Sequence, residues 1–153
     1  MIGKIPTMNE IVCATRGGAG SRAVQLATID RAKRIGNPLV FLYVVAPGNM
    51  GNSTLALRNA VQDELIWLGK ALLYVAEQRA HDAGLKAETV ILVGDVQDEI
   101  CAYLTEHKAS ILLLGAPRGT TAELHGDDAI EQFATRITDN SGVDVQIVRP
   151  EEE

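Results

Sequence analysis

The chain has 153 residues, enough for one domain with a proper core, and its 46% hydrophobic and 22% charged residues are ordinary for a globular protein. A net charge of −6 argues against a general nucleic-acid role, which rests on a basic excess or patch. No apolar run reaches the ~18 residues of a membrane span, and the opening MIGKIPTMN lacks the apolar stretch of a secretory signal.

Residues 1–8 read as a loosely held lead-in, with Met8 a second candidate start. The first strand is expected over residues 11–15. A glycine-rich turn follows, Thr15-Arg16-Gly17-Gly18-Ala19-Gly20-Ser21, and opens a helix over residues 21–35 that Gly36-Asn37-Pro38 stops. Residues 39–45 are almost wholly apolar, as suits a strand buried on both faces. The loop over residues 47–53 is rich in glycine and asparagine and reads as mobile.

The second helix carries Leu57, Val61, Leu65, Leu68, Leu72 and Val75 at spacings of three and four, which makes one stripe. Ser53 is its expected cap and Gly84 its end. Trp67 and Tyr74 lie two turns apart on it and share one face, which points to helix packing or a subunit contact more than to a ligand platform. A third strand follows over residues 87–93, then a third helix opening at Asp95, with Asp98 three residues on and Ile100 and Leu104 to bury. The fourth strand covers residues 110–115. The fourth helix puts Ile130, Phe133, Ala134 and Ile137 on one face, with Asp127 or Asp128 as cap. In the last strand, residues 143–148, Val143, Val145 and Ile147 alternate with Asp144 and Gln146, the pattern of an edge strand. Residues 150–153 read as a solvated acidic tail.

Strand and helix therefore alternate through one α/β domain spanning residues 1–153. That alternation calls for an open five-stranded parallel sheet with helices on both faces and right-handed crossovers, a Rossmann-like arrangement. Cys13 and Cys101 have neither C-x-x-C nor zinc spacing, and read as reduced residues of a cytoplasmic protein.

Open α/β sheets bind ligands beyond the carboxyl ends of their strands, where strand order reverses. Two strand ends are marked by glycine, the turn after the first strand and Gly115-Ala116-Pro117-Arg118-Gly119-Thr120 after the fourth. If the two strands are neighbours, these loops face one crevice, each bringing an arginine and main-chain N–H groups suited to an anion. Gly18-x-Gly20-x-x-Ala23 fits the dinucleotide fingerprint, but no Asp or Glu stands between Arg31 and Gln62 to hold a ribose, so a nicotinamide cofactor is not expected. The G-K-[ST] of a phosphate-binding lysine loop is absent.

The stretch EIVCATRGGAGSRAVQLATIDRAKRIGNPLVFLYVV resembles the opening of the universal stress protein family, and VILVGDVQDEICAYLTEHKASILLLGAPRG resembles its second half. The resemblance runs over residues 9–149 as a pattern across every element. It implies strand order 3-2-1-4-5, with the reversal between strands one and four. It also implies a homodimer through the fifth strand, where Val143, Val145 and Ile147 lie. ATP-binding members carry G-x-x-G, nine residues, then G-[ST] after the fourth strand. Here Gly115 and Gly119 are one residue further apart, Ala129-Ile130 or Glu131-Gln132 takes the Gly-[ST] place, and Glu123, Asp127, Asp128 and Glu131 oppose a triphosphate. Arg16 or Thr15 takes the place of an adenine-contacting aspartate. The candidate crevice is Thr15, Arg16, Gly17, Val45, Gly94, Gly115, Arg118, Gly119 and Thr120.

Two readings stay open. In one, the site has lost ATP and persists as a closed loop. In the other, the crevice holds an anion such as AMP or phosphate, or ATP with Mg, and Arg16 and Arg118 replace the missing contacts. Catalysis has less support, since Ser21 and Ser53 have no histidine nearby in sequence and His81 and His107 lie near helix ends. His125 beside Glu123, Asp127 and Asp128 could take a divalent cation, but acids at a helix start are favoured by the dipole alone, and no metal is expected. The expected role is stress-linked binding or signalling by a dimer, with an unidentified protein partner. The alternative is an adenine-nucleotide binder with weak ATPase activity.

Overall fold

The computed structural model describes residues 9–15, 19–46, 54–116 and 125–149, with side chains for all of these except 19–20 and 125–128. Strands β1 (Ile11–Ala14), β2 (Leu39–Val45), β3 (Ala87–Val93), β4 (Ile111–Gly115) and β5 (Asp144–Val148) alternate with helices α1 (Ala19–Ile35), α2 (Leu55–Asp82), α3 (Val96–His107) and α4 (His125–Ser141). All four ladders are parallel and the sheet order is β3-β2-β1-β4-β5. The order reverses between β1 and β4, as the resemblance implies. Ala14 pairs with both Leu42 and Leu114, so β1 ends at their level while β4 runs one residue further, to Gly115, and β2 three, to Val45.

The apolar run of β2 is explained by its two neighbours. Val40 and Leu42 join Val12, Leu112 and Leu114 in a core under α3 and α4. Leu39 and Phe41 join Ile11, Cys13 and Leu113 in a second core under α1 and α2. Successive side chains on a strand point to opposite faces, so a central strand covered on both sides has no polar positions.

Helix α3 forms as its sequence predicts. The Asp95 carboxylate accepts from the N–H of Asp98 at 3.0 Å, and Ile100, Tyr103 and Leu104 are buried. In α4, Ile130, Ala134 and Ile137 are buried and Phe133 is half-buried. Asp127 and Asp128 fall inside α4, which begins at His125, so neither is its cap.

Helix α2 departs from expectation. Its cap is Thr54, whose hydroxyl accepts from the N–H of Leu57 at 3.1 Å, and Ser53 lies outside the described residues. The leucine stripe is not the buried one. The sheet-facing residues are Gly69, Leu73, Ala76 and Ala80, while Leu57, Leu68 and Val75 are 42–50% exposed. The reason is volume. A Cβ on Gly69 would stand 2.5 Å from Cδ2 of Tyr43, so the ring on β2 leaves room there only for a glycine. The helix thus lies close on the sheet at Gly69, Ala76 and Ala80, with Leu73 between them, and turns Leu57, Leu68 and Val75 outward.

At the pole where the strands begin, Glu10 is buried beneath α3. Tyr103 donates its hydroxyl proton to Glu10 Oε1 at 3.0 Å, and His107 Nδ1 lies 3.6 Å from the same oxygen. The Tyr103 and His107 rings stack at 3.9 Å. The Ser110 hydroxyl and N–H both donate to the Glu10 carbonyl. Burial outweighs the Tyr103 hydrogen bond and the His107 charge, so the Glu10 carboxyl is held above its usual range.

Candidate ligand crevice

The carboxyl ends of β1, β2 and β4 form the floor of a cavity of about 680 Å³. Ala14 and Thr15 come from the end of β1, Leu42 to Ala46 from β2 and beyond, and Leu114 and Gly115 from β4. Leu65 of α2 closes one side, Val96 and Ile100 of α3 another, and Ile130, Phe133 and Arg136 of α4 a third. Such a volume lies within the range of small-molecule sites, which are concave and mostly apolar.

Of the predicted site residues, Thr15, Val45 and Gly115 line this cavity. Gly94 is not among its lining residues; it turns the chain from β3 into α3 at φ +150°, with its N–H donating to the Val45 carbonyl at 3.0 Å. Arg16, Gly17, Arg118, Gly119 and Thr120 lie outside the described residues, as do the side chains of Glu123, His125, Asp127 and Asp128.

Thr15 is 2% exposed and already engaged. Its hydroxyl accepts from Gln25 Nε2 at 3.1 Å, and the same amide donates to Ser21 Oγ at 3.1 Å. Gln25 Oε1 in turn accepts from Arg79 Nη1 of α2 at 2.6 Å. A polar chain therefore runs from the crevice floor through α1 to α2. It fixes the Thr15 side chain and leaves recognition in this part of the floor to main chain and apolar contact.

Sequence reasoning did not single out Phe133 and Arg136 as crevice residues. Arg136 follows Phe133 at helical i,i+3 spacing, so an apolar wall with a cation one turn on was the signal available. Arg136 Nε donates to Gln97 Oε1 of α3 at 2.8 Å, and its guanidinium lies 6.0 Å from the Phe133 ring centre. Among the described lining residues Arg136 alone carries a charge. Glu131, one of the acids expected to repel a triphosphate, lies 3.5 Å from Arg149, an exposed pair of little energetic weight. Among the described residues no group of three or more His, Cys, Asp and Glu could hold a metal ion, and no helix is long and apolar enough to cross a membrane. Cys13 is buried and Cys101 half-buried, and both are free. Burial pushes the Cys13 thiol up to about 11, so it stays neutral near pH 7.

The family profile described as "Universal stress protein family" matches residues 8–149. No curated protein matches the chain in sequence. Among solved structures, the fold is shared with universal stress protein UspA from Lactobacillus plantarum, at TM-score 0.75 and 18% identity over 94% of this chain and 99% of that one. It is shared also with the universal stress protein from Archaeoglobus fulgidus in complex with dAMP, at TM-score 0.67 and 18% identity over 94% and 99%. A family protein from Arabidopsis thaliana with AMP bound superposes at TM-score 0.65 and 14% identity over 94% and 92%.

Proposed function

The chain belongs to the universal stress protein family, and on that premise we propose that it is a stress-linked binding protein of the cytoplasm, acting without turnover and binding ATP weakly or not at all. The observation that carries this reading is the charge inventory of the crevice. Its described walls are apolar, and their one cation, Arg136, is already hydrogen-bonded to Gln97. Beyond the floor, the chain after β4 spaces Gly115 and Gly119 one residue too far apart and continues into acids. In sequence, that stretch lacks the Gly-[ST] pair that holds phosphates and carries acids that disfavour a triphosphate. The homodimer belongs to the same proposal: among the described residues β5 is an edge strand, the position from which it would pair with β5 of a second copy.

A second reading is a working site for an adenine monophosphate. It is favoured by the apolar slot at the β1–β4 reversal, which suits a purine, and by the AMP and dAMP held by two relatives of the same fold. Calorimetric titration with ATP and Mg²⁺, and separately with AMP, tests both. The expected result for ATP is a Kd weaker than about 100 µM, under roughly 5.5 kcal/mol of binding free energy. Micromolar ATP affinity at ordinary salt would sink the proposal. Tight AMP binding with weak ATP binding would replace it by the second reading.

A further inference from the structure

We propose that the outward face of α2 is an interface with a second copy of this chain, formed by antiparallel pairing of two α2 helices about a two-fold axis. The face is the one opposite Gly69, Leu73, Ala76 and Ala80. Trp67 is 69% exposed there and Tyr74 62%, flanked by Leu57 at 50%, Val75 at 44% and Leu68 at 42%. A lone exposed leucine needs no explanation, but a contiguous patch with a tryptophan and a tyrosine marks an interaction surface.

Area and pattern both select a second copy as the occupant. The five side chains expose roughly 500–600 Å², and with the exposed Ala60, Glu64, Ala71 and Gln78 between them the face approaches the ~800 Å² per partner of a standard interface. Large and small residues alternate along it in a self-complementary order. With the axis passing between Trp67 and Ala71, each Trp67 falls over the Ala71 of the second copy, and each Tyr74 falls opposite its Glu64. Tyr74 then offers its hydroxyl proton to a carboxylate. One patch that fits itself under a two-fold operation is the requirement of an isologous dimer, and the alanine gap lets the helices approach closely. This surface is separate from the β5 edge and from the crevice.

Sedimentation velocity of the full chain, from micromolar to submillimolar concentration, reads the mass directly. Ala71→Arg sets two cations against each other at the axis, and the exposed site leaves the fold intact by circular dichroism. The expected result is a self-associating wild type whose mass halves in Ala71→Arg, with association weakened at least about thirtyfold. Trp67 is the one tryptophan of the chain, and its emission should shift to the blue as the wild type associates. Lys70→Glu, on the flank of the same helix, should leave the mass unchanged. A monomeric wild type would overturn the proposal, since the face would then serve some other partner. So would a mass that Ala71→Arg leaves unchanged, because the association would then lie wholly at β5 or elsewhere, and so would equal loss in Lys70→Glu.

Discussion

Glu10 is a buried acid with one strong donor, and the balance of those two facts is measurable. Its carboxyl titrates above the usual range because burial exceeds the stabilisation from Tyr103 and His107, while Glu88 adds a further raising influence. The folded chain therefore keeps a proton over a pH interval in which the unfolded chain has released it. The contribution of Glu10 to stability is complete below the ordinary carboxylate value and falls as pH rises through the raised one. Glu10→Gln keeps an acceptor for Tyr103 and never ionises. Urea midpoints at pH 4 and pH 8 should show the variant gaining on wild type as pH rises; a gap that stays constant would mean that ionisation of Glu10 is not felt. Tyr103→Phe removes the donor and should cost about 1–3 kcal/mol, with the larger loss at the higher pH.

Among the elements, α2 gives the sharpest test. Gly69→Ala would ordinarily stabilise a helix by about 1 kcal/mol. Here the added methyl meets Cδ2 and Cε2 of Tyr43 at 2.5 and 2.8 Å, in the body of a ring pinned on β2. The expected outcome is a net loss of about 1–3 kcal/mol, read as a lower urea midpoint with an unchanged slope. The same contact explains where the sequence could be read and where it could not. Strand runs such as Leu39–Val45 and Ala87–Val93 appear with the boundaries their apolar length implies, and Asp95 caps α3 as its spacing to Asp98 predicts. In α2, periodicity found the leucine stripe but carried no information on which side of the helix the sheet lies. That choice was made by a tyrosine some 26 residues earlier in the chain, through a contact no local pattern contains. The site divides in the same way. Thr15, Val45 and Gly115 follow from strand ends, whereas Leu65 and Arg136 reach the crevice only because helices far apart in sequence cross above one floor.

At the scale of the whole molecule, the sheet order places three strands, β2, β1 and β4, inside and two, β3 and β5, at the rim. All four residues of β1 are buried, while Glu88, Thr89 and Val93 on β3 and Asp144 and Gln146 on β5 are exposed. Hydrogen exchange followed by mass spectrometry should release the amides of β1 and the centre of β4 only with global unfolding, and those of β3 and β5 sooner. Uniform protection across the five strands would contradict that ranking.

One rod of helix touches both ends of the functional question. Leu65 of α2 forms a wall of the crevice, and Arg79, further along the same helix, is tied to the Thr15 floor through Gln25. Trp67 and Ala71 lie between those two points on the opposite side of the helix. A molecule in the crevice that shifts α2 is therefore coupled to the proposed outer contact to the extent that the shift changes the affinity of that face. Thermodynamic reciprocity fixes the size of the exchange: if occupancy changes the affinity of the outer face by some factor, engagement of that face changes the affinity for the occupant by the same factor. A helix held at two points from within and exposed between them can thus report, on the surface, whether the crevice is filled.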